Sequence, residues 1–262
     1  MIKHFSILCI LLFVCVISMA QSYNNPESIV YDQVGDRYFI SNKAGNTIVQ
    51  LDSDHEQTLF ISSNLNAPKG LLIVGDTLIS VNNTSVQGFL LSDASRIFNI
   101  LIDRAVFMND VTTDNKGKLY VSDTSNGVIY QISLETGEYS TLVDSIISPN
   151  GLLFDSKRNS ILICNWGHNA KIQSFNLSDS TLSNLVTTEL SNLDGLASDK
   201  AGNIYVSSWG SHAVYRFDSA FKNPPVVISE GHNGPADIFI NQNNQVLAIP
   251  NFLSNNIQFI DL

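Results

Sequence analysis

Residues 193–210, LDGLASDKAGNIYVSSWG, repeat the phrasing of residues 148–167, SPNGLLFDSKRNSILICNWG. Both run polar residue, glycine, apolar pair, aspartate, turn, apolar strand, Trp-Gly. The polar residue before the glycine is Asn150 in one and Asp194 in the other. Following that position outward finds six copies, at Glu27, Lys69, Asn109, Asn150, Asp194 and Ala236, with intervals of 42, 40, 41, 44 and 42 residues. The third copy shows the internal plan. DVTTD (110–114), KLYVSD (118–123), GVIYQIS (127–133) and YSTLVD (139–144) are apolar or β-branched runs joined by NKG, TSN and LETGE. Such runs between Gly, Asn and Asp turns predict four strands per copy. Four strands every 40–45 residues or so is the pattern of a propeller blade. The chain is therefore expected to be an all-β, six-bladed β-propeller, with four-stranded antiparallel blades around a central channel. The sixth copy offers only three runs, DIFIN, QVLAIP and NIQFID. Either Gln21 to Pro26 supply a short closing strand, or that blade has three.

Composition narrows the class further. Of 262 residues, 44% are hydrophobic and 15% charged, which suits a packed globular domain rather than a disordered chain. A formal net charge of −10 argues against nucleic acid or an anionic membrane as partner. Residues 1–20, MIKHFSILCILLFVCVISMA, read as a secretory signal peptide, with Lys3 and His4 basic, an apolar run to Ile17, and small residues Ser18 and Ala20 before the cut. This leaves residues 21–262 as the propeller domain and predicts a secreted or periplasmic protein with no membrane attachment after cleavage. Cys9 and Cys15 fall in the leader. Cys164 is then alone, which excludes an intramolecular disulfide and reads as a small buried hydrophobe.

The first strand of a propeller blade lines the channel, so six equivalent residues converge at one channel mouth. Glu27, Asn109, Asn150 and Asp194 would bring four hard oxygen donors together, a plausible cage for a divalent cation. No His or Cys shares the ring, which disfavours a thiolate-preferring metal. Two structural readings stand beside the cage. Asn and Asp next to Gly often cap turns with their own side chains, and Lys69, in the same ring, could pair with Glu27 in a salt bridge.

The repeats PESIVYD, MNDVTTDNKGKLYVSDT, SPNGLLFD and LDGLASDKAGNIYVSSW resemble the senescence-marker/gluconolactonase family of six-bladed propellers over residues 24–262 or so. The resemblance implies one divalent cation on the channel axis and hydrolysis of a small-molecule lactone or related ester. Its ligand pattern falls on Glu27, Asn150 and Asp194, with Asn109 nearby. Ca²⁺ is the expected metal, with Mg²⁺, Mn²⁺ or Zn²⁺ as alternatives. The implied chemistry is attack of water on a metal-polarised carbonyl, with Asp194 or Asp110 as base. There are departures. Glu-Ser-Ile-Val-Tyr replaces the family's Glu-Ser-Pro-x-Trp, Val111 replaces the Gly of Asn-Asp-Gly, and Leu193 replaces the Pro before Asp-Gly. Where sugar-acid lactonases of this type carry an Arg two residues before the Asn, this chain has Phe107.

Loops between second and third strands share the face with the channel mouth. Trp166, His168, Trp209 and His212, together with Lys69 and Phe107, are the expected substrate-binding residues. His232 reaches the same face, although solvated loop residues are the plainer reading for each His. Asp237 more simply caps its strand. The rival functions are a non-enzymatic, NHL-like propeller binding a protein or glycan on its top face, and a strictosidine-synthase-like condensing enzyme without the oxygen ring.

Overall fold

A computed structural model describes residues 23–262, so the leader and its two cysteines lie outside the described residues. Six antiparallel sheets form a six-bladed propeller. Five blades have four strands, and the sixth (Phe239–Asn241, Val246–Asn251, Asn256–Asp261) has three among the described residues. Tyr23 to Asn25 form no closing strand. Asn25 instead reaches the sixth blade through side-chain bonds, donating from Nδ2 to the Phe252 carbonyl (3.0 Å) and from its backbone N–H to Asn255 Oδ1 (2.7 Å). No helix among the described residues is long and apolar enough to cross a membrane.

The core is divided rather than central. Each interface between adjacent blades buries its own apolar cluster, including the one between blades six and one, where Tyr23, Ile40 and Val49 meet Ala248, Ile257 and Phe259. The ring therefore closes by the same face-to-face packing that joins every other pair of blades. Alternation along each strand makes this possible, because one face of a blade packs on the preceding blade and the other on the next.

The inner strands are Pro26–Asp32, Leu71–Val74, Met108–Thr113, Pro149–Asp155, Leu193–Ser198 and Phe239–Asn241. Four of them begin with the same irregularity. Pro26, Met108, Pro149 and Leu193 pair with the second strand, and the next pairing comes three residues later against two on the partner. Such a bulge leaves residues free of the ladder and re-aims their side chains. The residues released first are Glu27, Asn109, Asn150 and Asp194.

The following position laces neighbouring blades together. A Cβ on Gly151 would lie 2.0 Å from the Asp194 carbonyl oxygen, and one on Gly195 would lie 2.4 Å from the Ile238 nitrogen. Glycine is required there because the next inner strand passes at backbone contact. Where the position is not glycine, its side chain makes the link. Asp110 accepts from the Leu152 N–H (2.6 Å), and the Ser28 hydroxyl donates to Asp237 (2.6 Å) and accepts from the Leu71 N–H (3.0 Å). A column on the second strands adds a further link. Ser122, Cys164 and Ser207 donate to the carbonyls of Asn150 (2.7 Å), Asp194 (3.0 Å) and Ala236 (2.7 Å) of the next blade. Cys164 is buried as expected, and it occupies a serine's place in this lacing.

Candidate active site

At the channel mouth, Glu27, Asn109, Asn150 and Asp194 meet at the floor of a pocket of about 380 Å³. All four are buried. The Asn109 amide donates to Asn150 Oδ1, and Asn150 Nδ2 donates to Asp194 Oδ1 (3.0 Å) and to the Leu193 carbonyl (3.1 Å). Trp209 Nε1 donates to Asp194 Oδ2 (2.6 Å). Both Asp194 oxygens are thus held. Glu27 Oε2 is buried and has no hydrogen-bond partner.

Electrostatics follow from this crowding. Burial pushes Glu27 well above the usual carboxylate range, and the neighbouring Asp194 charge adds to the rise; Lys43 and Lys69 act against it. Burial likewise raises Asp194 to about 7, against the opposing Trp209 bond, the Lys43 charge and the Asn150 bond. Two adjacent buried carboxylates that resist ionisation, one with an orphaned oxygen, form a site short of positive charge. Their donors are hard oxygens, and the two amides extend the set. Among the described residues no group of three or more His, Cys, Asp or Glu converges, so a cation here would depend on those amides. The residues present fit a hard divalent cation.

The structure corrects several expectations. Lys69 is fully buried and does not line the pocket. Its ammonium donates to Asn83 Oδ1 (2.8 Å) and the Ala67 carbonyl (3.2 Å) and lies 4.6 Å from the Phe107 ring centroid. The ion pairs found among the described residues are Arg37–Asp32 and Arg158–Asp155, so the Lys69–Glu27 bridge is not made. Burial lowers Lys69 to about 8, while the Glu27 charge holds it up. Asp110 is also outside the pocket. It lines a second cavity of about 250 Å³ further along the channel with Asp237 and apolar inner-strand residues. Burial raises Asp110 to about 7 against its two backbone bonds, from Leu152 and Val111. His168 and His212 do not reach the pocket. His168 Nδ1 contacts Ser191 Oγ (3.3 Å), and His212 Nδ1 contacts the His232 carbonyl (2.9 Å). His232 is buried between Asn251 and Ser229. Phe107, Trp166 and Trp209 do line the pocket.

The sequence reading missed Lys43, Thr124, Ser125 and Phe252 on the wall. The repeat carried the signal for three of them. The residue that follows the second strand of each blade is Lys43, Asn83, Thr124, Trp166, Trp209 and Phe252 in turn, with Asn83 one place further on because its strand ends at Val81. Five of the six line the pocket, and Asn83 holds Lys69. The two tryptophans were read as separate loop residues instead of members of a second ring.

Comparison with known proteins agrees with this architecture. The family model described as "SMP-30/Gluconolactonase/LRE-like region" matches residues 25–223. No match was found among curated protein sequences. A gluconolactonase from Xanthomonas campestris has a similar structure, with TM-score 0.76 and 14% identity over 88% of this chain and 84% of that one. Regucalcin from Agrobacterium tumefaciens, described as a calcium-binding protein, gives TM-score 0.72 and 14% identity over 88% and 83%. A chain of a nidogen/laminin complex gives 0.74 and 17% over 83% and 87%. At these identities the structural likeness speaks for the fold alone.

Proposed function

This chain belongs to the SMP-30/gluconolactonase/LRE-like family, and from that premise we propose that it is an exported, divalent-cation-dependent hydrolase of a lactone or related ester. The observation that carries the reading is the convergence of Glu27, Asn109, Asn150 and Asp194 on one pocket floor, with a buried Glu27 oxygen left unpartnered. Export rests on the apolar leader at residues 1–20. Ca²⁺ suits hard oxygen donors with no nitrogen or sulfur among them. Glu27, Asn150 and Asp194 would hold it, with Asn109 supporting Asn150. When bound, such a cation supplies Lewis acidity at an ester carbonyl.

The chain's own groups carry the remaining work. Asp194 is the proton acceptor for an attacking water and passes that proton on to the leaving alkoxide, because its carboxylate lies on the pocket floor where the acyl group would meet it. Trp209 and Asn150 fix its two oxygens and so set the direction of proton transfer. The aromatic wall of Phe107, Trp166, Trp209 and Phe252 limits water around the reacting carbonyl.

The test is metal analysis of the purified protein, combined with proton release from a panel of lactones with and without chelator. Stoichiometric cation and chelator-sensitive turnover, lost in Asp194→Ala, are expected. Glu27→Gln should weaken cation affinity while the protein stays folded. A protein that holds no cation and opens no lactone would instead be a binding propeller.

A further inference from the structure

We propose that the pocket selects a lactone or ester with an apolar body, alkyl or aryl, over a polyhydroxylated sugar acid; this rests on the hydrolase reading above. The second ring of residues divides the wall by polarity. Blades four to six contribute Trp166, Trp209 and Phe252 as a continuous aromatic arc. Trp166 and Trp209 meet edge to face at 5.3 Å, and Trp209 and Phe252 meet at 5.3 Å with planes tilted by 48°. The arc is anchored, because the Trp209 indole nitrogen is bonded to Asp194. A rigid aromatic surface beside the reacting carbonyl gives an apolar body van der Waals contact without first having to order side chains.

Across the pocket stands Phe107, and its ring is already engaged. Lys69 Nζ lies 4.6 Å from its centroid and Lys43 Nζ 5.0 Å, and Lys43 Nζ also lies 5.1 Å from the Phe252 centroid. Above the floor, the polar side chains on the wall are Lys43, Thr124 and Ser125. The Thr124 hydroxyl proton is committed to the Pro149 carbonyl (2.8 Å). A sugar acid would bring several hydroxyls into this space and leave most of them without partners, and each hydroxyl buried unpaired weakens its binding. An apolar body leaves none. The Lys43 ammonium stands over the Phe107 and Phe252 rings and donates no hydrogen bond among the described residues, so it can meet the carboxylate that forms when water adds to the acyl carbon and the ring C–O bond breaks. A volume of about 380 Å³ accommodates a ring with a short alkyl or aryl extension.

The chain has two tryptophans, and both line the pocket. Intrinsic emission therefore reports occupancy whether or not turnover follows. We would titrate the Ca²⁺-loaded protein with δ-decalactone and δ-gluconolactone, two six-membered lactones that differ in their bodies, and follow emission and proton release together. δ-Decalactone should bind at least about tenfold more tightly. Phe252→Ala should lower affinity for δ-decalactone more than affinity for δ-gluconolactone and so remove most of that preference. Equal or tighter binding of δ-gluconolactone, or no emission change with either lactone, overturns the proposal. The hydrolase reading is scored separately. δ-Decalactone binding without proton release supports the ligand class and sinks the hydrolysis. Chelator-sensitive proton release from δ-gluconolactone alone does the reverse.

Discussion

Raising the pH from 5 to 8 should destabilise the chelated protein, and Ca²⁺ should restore stability more at pH 8 than at pH 5. Asp194 sets the scale. Its carboxyl rises from 3.8 to about 7 on folding, chiefly by burial. The sign follows from linkage. Between those two values the folded protein keeps a proton that the unfolded chain has released, so stability falls as pH rises through the window. At about 1.4 kcal/mol per pH unit, the whole window is worth on the order of 4 kcal/mol. Most of it, on the order of 3 kcal/mol, falls between pH 5 and 8. For a domain of this size that is a drop in Tm of about 5–10 °C. Asp110, also raised to about 7, and Glu27 and Asp237, both pushed well above the usual carboxylate range by burial, act in the same direction, whereas Lys69, lowered to about 8, changes charge only at the top of the range. A cation favours the ionised carboxylates, so the Tm gained from Ca²⁺ should be largest where the chelated protein is weakest. The assay is thermal unfolding followed by tryptophan emission in buffered series with chelator or excess Ca²⁺. Asp194→Asn isolates the residue from the general repulsion of an acidic chain; its chelated form should show a flatter pH slope and little response to Ca²⁺. A wild-type Tm that is level or rising from pH 5 to 8 under chelator, or a Ca²⁺ gain equal at both ends, would refute the electrostatic account of the site.

Two further expectations concern the lacing between blades. Gly151→Ala should cost about 3 kcal/mol or more in denaturant unfolding, because its Cβ would sit 2.0 Å from the Asp194 carbonyl oxygen; a cost below about 1 kcal/mol would show that the inner strands can part freely. Cys164→Ser should keep stability within about 1 kcal/mol, since serine does the same work at Ser122 and Ser207. The native Cys164 thiol should react with a thiol reagent only on unfolding, because burial both shields it and pushes its pKa up.

Much of this molecule is written in local sequence. Strand runs and turn residues act over a few positions, so a 40–44-residue period exposes the blades, their number and the column that faces the channel mouth. The four oxygen donors were legible for the same reason, because equivalent places in a symmetric ring must converge. Direction was not legible. Asn109 and Asp110 are neighbours in sequence but line different cavities, because a bulge at the strand start releases one to the pocket and turns the other down the channel. Lys69 shares the ring column, yet its ammonium turns to Asn83 and the Phe107 face. His168 and His212 lie on the correct face but bond to adjacent loops. Lys43 and Phe252, 209 positions apart, flank one pocket only because blades one and six close the circle. Periodicity states which residues are equivalent, whereas burial, bulges and ring closure decide which of them point at one another.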